Sequence, residues 1–110
     1  AISEQKTKKI SELKLQVESD RQRNEKQTIE YFASIIENQR RYIRNWEGEI
    51  EFLFDKDEKR VQELQGVIRL AQSRIQQFEK EKEDRLSEIR EASQIDISEN
   101  FVSLNLINIV

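Results

Sequence analysis

The chain contains no cysteine, no histidine, no methionine and no proline, and only two glycines, Gly48 and Gly66, among 110 residues. Each absence excludes something. Without cysteine there is no disulfide scaffold. With histidine missing as well, the usual nitrogen and sulfur ligands of zinc are gone. Catalysis by a histidine base or a cysteine nucleophile is excluded within this chain. No run of 18 or more apolar residues is present to span a bilayer, and the start carries no signal-like apolar stretch. The lack of methionine reads as an expectation that this is a processed or excised piece of a larger cytoplasmic protein.

What is there is charge. Lysine and arginine number 19, aspartate and glutamate 22, for a net charge of −3, while apolar residues make up 35%. The charged share is well above the usual quarter or so, which leaves little to fill a compact globule. The apolar residues that exist are, however, ordered. Ile29, Phe32, Ile36, Gln39, Ile43, Trp46, Ile50 and Leu53 step by three and four in alternation, as the a and d positions of a heptad do. A second register runs Val61, Leu64, Ile68, Ala71, Ile75 and Phe78. It then meets Lys82 and Arg85 before Ile89 and Ala92. Reading an eleven-residue step from Ile75 to Leu86 and from Phe78 to Ile89 restores apolar contact.

Between the registers, Asp55 followed three residues later by Glu58 suits a capping box and a helix restart. A short turn there folds the helices antiparallel, so that facing residue numbers sum to about 114. Leu53 then meets Val61, Ile50 meets Leu64, Trp46 meets Ile68, and Ile36 meets Phe78. The expected fold is all-α: a long antiparallel two-helix coiled-coil hairpin over residues 1–92, with helices over about 3–54 and 58–92 and a turn at about 55–57. The rival is one continuous helix that dimerises. An early stripe of Ile10, Leu13, Leu15 and Val17 would overhang the second helix and need another cover. Residues 93–110 differ in kind, with nine apolar residues, two acids and no base. Val102-Ser103-Leu104-Asn105-Leu106 alternates and is rich in branched side chains, so residues 93–110 read as a short strand-like tail that associates through Val102, Leu104 and Leu106.

Candidate sites are few. Arg40, Arg41 and Arg44, interleaved with Tyr42 and Trp46, could contact nucleic acid. The competing reading makes Ile43 and Trp46 seam positions and pairs the arginines with Glu37, Glu47 and Glu51 on a solvated face. Carboxylates at Glu47, Glu49 and Glu51, and at Glu79, Glu81, Glu83 and Asp84, are read as charged surface rather than as a cation site, since i and i+2 diverge on a helix. Gly48 and Gly66 lack any phosphate-loop context; they are read as facing each other, allowing close approach or bending. Lys82 and Arg85 are read as seam side chains that snorkel. No catalytic residue, metal ligand or cofactor is expected.

Val67-Ile68-Arg69-Leu70-Ala71-Gln72-Ser73-Arg74-Ile75, then Arg85-Leu86-Ser87-Glu88-Ile89-Arg90, and the ending Val102-Ser103-Leu104-Asn105-Leu106 together resemble the C-terminal end of certain bacterial Snf2-type helicase-like ATPases. Chains of that family close with a charged coiled coil and a short hydrophobic tail, and the resemblance covers residues 30–110. It implies a non-catalytic interaction or spacer arm on an ATP-dependent, DNA-tracking parent whose ATPase motifs lie elsewhere. Partners would be protein, either a second copy or the rest of the parent, with nucleic acid reached only through the parent and no membrane. The alternative function is a self-assembling structural or prefoldin-like chaperone coiled coil.

Overall fold

The computed structural model describes residues 2–107, with side chains described for residues 2–99. Two helices account for nearly all of it: α1 spans Ile2–Leu53, 52 residues, and α2 spans Glu58–Ile107, 50 residues. The fold is an all-α helical hairpin. It divides into two compact units, Ile29–Glu83 and a second unit made of Ala1–Thr28 with Asp84–Val110. We call the first the turn unit and the second the terminal unit.

The turn unit is a coiled-coil seam closed by a short reversal. Phe32, Ile36 and Ile43 of α1 are buried, as are Val61, Leu64, Ile68 and Ala71 of α2. Ile43, Ile68 and Ala71 form one cluster, against which Trp46, Ile50 and Ile75 pack. These are the a and d positions of the two registers, and the antiparallel pairing sum of about 114 places Ile43 level with Ala71 and Trp46 level with Ile68. Burying each large aliphatic of this set contributes roughly 1.5–3 kcal/mol. Among the described residues no buried side chain is polar or charged, so nothing in this seam needs an internal partner. Leu53 and Phe78 are half-buried at their expected seam positions, and Gln39 is tolerated there because it too is only half-buried.

Residues 54–57 make the reversal. The amides of Lys56 and Asp57 both donate to the carbonyl oxygen of Leu53, at 2.9 and 3.1 Å, closing the end of α1. The restart is capped by Asp57 rather than Asp55: Asp57 Oδ1 accepts the Arg60 amide at 3.1 Å, and the Asp57 carbonyl accepts the Val61 amide at 3.1 Å. Asp55 lies two residues too early, because the turn occupies 54–57 and Glu58 is already the first helical residue. Among the described residues none has a positive φ, glycines included.

The terminal unit has a thinner apolar seam. Leu86 and Ile89 are its buried residues, so the eleven-residue step in α2 is the one the protein uses. Arg85, read as a seam side chain that snorkels, is instead exposed and donates to Glu88 at 3.2 Å, because the eleven-residue step turns its position off the seam. On α1, Ile10, Leu13 and Val17 are half-buried, whereas Leu15 is exposed.

Two sequence expectations are corrected here. The strand-like tail is helical over residues 93–107: α2 does not stop at Ala92 but continues to Ile107. Propagating an existing helix adds one hydrogen bond per residue fixed, whereas a lone strand leaves its edge unpaired. Neither proline nor glycine interrupts the segment. The side chains of Val102, Leu104 and Leu106 lie outside those described, and residues 108–110 lie outside the described residues altogether. The longer α2 also supplies, by the pairing rule, backbone opposite the early stripe of α1. The second correction concerns the glycines. A Cβ built at Gly48 or at Gly66 meets nothing within 4 Å, so neither mediates a close approach. Both fall at f positions, which point away from the partner helix.

Candidate interaction surface

Heptad positions flanking a seam divide an antiparallel pair into two faces, one bearing the g positions of both helices and the other the e positions. In the turn unit these faces differ sharply. The e and b face carries Arg40, Glu47, Glu37, Arg44 and Glu51 from α1, and Gln65, Gln72, Glu79, Arg69 and Gln76 from α2. It is a charged, solvated surface. The g and c face carries Tyr31, Ile35, Asn38, Tyr42, Asn45, Glu49 and Phe52 from α1, with Arg60, Glu63, Val67, Leu70, Arg74, Gln77 and Glu81 from α2, so its apolar residues are flanked by charge at both ends. Tyr31 is 62% exposed, Tyr42 52% and Leu70 53%, and Val67 is exposed as well. Ile35 is half-buried.

The aromatic side chains on this second face are ordered against the seam. The Tyr42 ring stacks on Trp46, with centroids 6.0 Å apart and planes at 26°. Tyr31 meets Phe32 edge-on at 5.2 Å and 82°. Such pairs fix ring orientation and contribute beyond the area they bury. Trp46 thus belongs to both surfaces: it packs on the seam cluster and supports Tyr42 outside it.

The three arginines singled out as nucleic-acid contacts are occupied. Arg44 donates to Glu37 at 2.8 Å. Arg40 lies 3.9 Å from Glu79 on the other helix. Arg41 donates to the Asn38 side chain. The hydrogen bond from Arg44, reinforced by its charge, holds the Glu37 carboxyl below the usual carboxylate value. Their e, b and f positions do not share the aromatic face, so Arg40, Arg44, Tyr42 and Trp46 do not converge on one stacking groove. Glu47 and Glu51 are exposed on the same arginine-bearing face, but the carboxylates that engage the arginines are Glu37 and Glu79.

Seam residues stand where expected with one exception. Phe32, Ile36, Ile43, Val61, Leu64 and Ile68 are buried, and Trp46, Ile50, Leu53, Ile75 and Phe78 are half-buried. Ile29 is 48% exposed and does not join the seam. Lys82, at an a position, is half-buried and its ammonium donates to Glu79 at 3.0 Å, which holds its pKa above the ordinary lysine value.

Three further features bear on binding. At the reversal, Phe52 and Phe54 are exposed, and Lys56 Nζ sits 4.0 Å from the Phe52 ring centroid. In the terminal unit, Arg21 holds both Glu18 and Glu25, and Arg90 of α2 donates to Glu25 at 2.7 Å. Asp20, Arg21, Arg85 and Glu88 line a nearby groove of about 340 Å³ floored by Val17 and Ile89. Among the described residues, no group of carboxylates is placed to hold a metal ion, and no helix is long and apolar enough to cross a membrane.

No family model, curated protein or solved structure matches the chain.

Tyr31, Ile35, Val67 and Leu70 escaped the sequence reading. The sign was present: Tyr31, Ile35, Asn38, Tyr42 and Asn45 also step by four and three, one register removed from the seam. Two registers on one helix mark a helix with two partner-facing surfaces, one of which the hairpin itself satisfies.

Proposed function

We propose that this chain is a non-catalytic coiled-coil interaction module, a spacer hairpin that presents one apolar face to another protein surface. The observation that carries this is the asymmetry of the turn unit. Its seam is already filled, yet Tyr31, Tyr42, Val67 and Leu70 stay exposed together on one side. Isolated exposed apolar residues are ordinary; an aligned set of large ones opposite a face that has none is the mark of an interaction surface.

The test separates an interaction face from part of the fold. Below micromolar concentration, a Tyr31→Ser, Val67→Ser, Leu70→Ser variant should keep its helical circular dichroism and melt within a few degrees of the parent. A drop as large as that from a seam substitution would make the face structural and end this reading.

The setting we propose is the cytoplasm, as an accessory arm of a helicase-like, DNA-dependent ATPase. The likeness of residues 67–75 and 85–90 to Snf2-type C-terminal coiled coils supports it. Helicase motifs encoded upstream in the parent gene would establish that setting, and a parent without them would remove it. In such an arm the hairpin would not grip DNA itself. Fluorescence anisotropy with a labelled duplex at low salt should show no salt-dependent binding, since Arg40 and Arg44 stand among carboxylates on a chain of net charge −3.

A further inference from the structure

We infer that the partner of the exposed face is a second copy of the same hairpin, joined by a twofold axis running along the hairpin into an antiparallel four-helix bundle. This names the occupant for the interaction reading and rests on it.

The inference comes from where the apolar residues sit. On α1 Tyr42 is exposed at mid-length, stacked on the half-buried Trp46; on α2, Val67 and Leu70 are exposed. In the antiparallel hairpin these residues lie at the same level, since 42 with 70 and 46 with 67 sum close to the seam value of about 114. A twofold axis along the hairpin lays α1 of one copy over α2 of the other without axial displacement. It therefore sets Tyr42 of each chain, backed by Trp46, against Leu70 of the other and beside its Val67, twice. An isologous interface demands this property, that a patch be complementary to itself.

The flanking positions agree. Pairing c with g across the new seam, at a sum of about 112, gives layers of Asn45 with Val67, Tyr42 with Leu70, Asn38 with Arg74, Ile35 with Gln77 and Tyr31 with Glu81. Arg74 meets an amide, and Glu81 meets a phenol that can donate to it. Glu49 and Glu63 form the one like-charged layer, and Arg60 lies within 3.6 Å of Glu49 and 3.4 Å of Glu63 to offset it. The opposite face could not pair in this way. Its e positions, Arg40, Glu47, Gln65, Gln72 and Glu79, provide no apolar layer at any level.

The size of the patch sets the strength. From Tyr31 to Glu49 is about 27 Å of helix, and two packed helices are about 20 Å wide. That footprint lies below the roughly 800 Å² per partner of a standard stable interface. The dimer is therefore reversible and appears as concentration rises.

Sedimentation of the full chain over roughly 1–500 μM should show a monomer–dimer equilibrium. Tyr42→Glu should weaken it at least about tenfold while helicity is retained. Arg44→Glu, on the other face, should leave it within about twofold. Geometry is tested by disulfide capture, which the cysteine-free sequence makes clean. Asn38→Cys chains mixed with Arg74→Cys chains should cross-link between copies, and Arg44→Cys mixed with Arg69→Cys should not. A chain that remains monomeric throughout, or a dimer indifferent to Tyr42→Glu, overturns the inference. A monomer whose face variants still fold normally leaves the interaction reading standing with a different partner. Face variants that unfold below the dimerising range would instead remove that reading itself.

Discussion

The turn unit and the terminal unit use the same two helices and hold them by different means. In the turn unit seven apolar residues, Phe32, Ile36, Ile43, Val61, Leu64, Ile68 and Ala71, are buried. In the terminal unit only Leu86 and Ile89 are, among the described residues, and α1 has no apolar side chain from Glu18 to Thr28. There Arg21, Glu18, Glu25 and Arg90 form a connected set of ion pairs instead. Apolar burial gains from every atom removed from water, whereas exposed ion pairs are screened and contribute about 0–1 kcal/mol each. The contrast teaches that one helical pair can be steeply stable along one stretch and shallow along another, with no break in either helix.

The strongest way to break the contrast is a charge in the turn unit's seam. Ile43→Asp buries a carboxylate beside Ile68 and Ala71 with no partner, and should remove most helical circular dichroism of the chain. A melt unchanged by this substitution would take Ile43 out of the seam. Next in size, Leu64→Ala should destabilise by about 2–5 kcal/mol, because Leu64 is the most deeply enclosed large side chain among the described residues. Leu86→Ala should act locally. Hydrogen exchange should accelerate in residues 84–107 and stay slow around Ile43 and Ile68. Equal acceleration in both units would show that they unfold as one.

Smaller effects sharpen the difference. Glu25→Gln severs charged contacts to both Arg21 and Arg90 and should cost about 1 kcal/mol or less, felt in the terminal unit and shrinking in high salt. Acid should act in the same direction. A hydrogen bond from Arg21 lowers the Glu18 pKa from its ordinary value of 4.5, and one from Arg44 does so for Glu37. A carboxyl depressed in the folded state stabilises fully above its ordinary value and loses that contribution as pH falls through the depressed one. Protection should therefore hold down to about pH 4.5 and fade below it, sooner in the terminal unit. Loss of protection beginning near neutrality would contradict this assignment.

How much was legible in the sequence follows from the same physics. Alternating steps of three and four named the seam because helical geometry turns spacing directly into a face, and Ile36, Ile43, Leu64 and Ile68 stand where that rule put them. Ile29 obeys the spacing yet stays exposed, since spacing assigns a face but not what lies opposite it. The ending misled through its branched residues, whose preference for strands is a preference for a neighbouring strand that this fold does not provide. The cap shifted from Asp55 to Asp57 because both acids suit the chemistry and only the length of the turn chooses between them. The exposed stripe at Tyr31, Ile35 and Tyr42 was hidden by its overlap with the seam, where Trp46 serves both.

The reversal at residues 54–57 carries a last consequence. Every residue in it keeps ordinary right-handed or extended geometry, and no glycine or proline dictates the bend. The corner's local code is confined to the two amides on the Leu53 carbonyl and the Asp57 cap, and the seam does the rest of holding it shut. It works as a jack-knife whose blade is retained by the fit of the handle: if the apolar contacts were loosened, residues 50–61 could straighten into one rod and trade arms with a neighbour. A glycine introduced at Asp55 would not tighten this corner, which needs no left-handed residue, but would disfavour the straightened rod by about 0.5–1 kcal/mol relative to alanine without touching any contact in the seam.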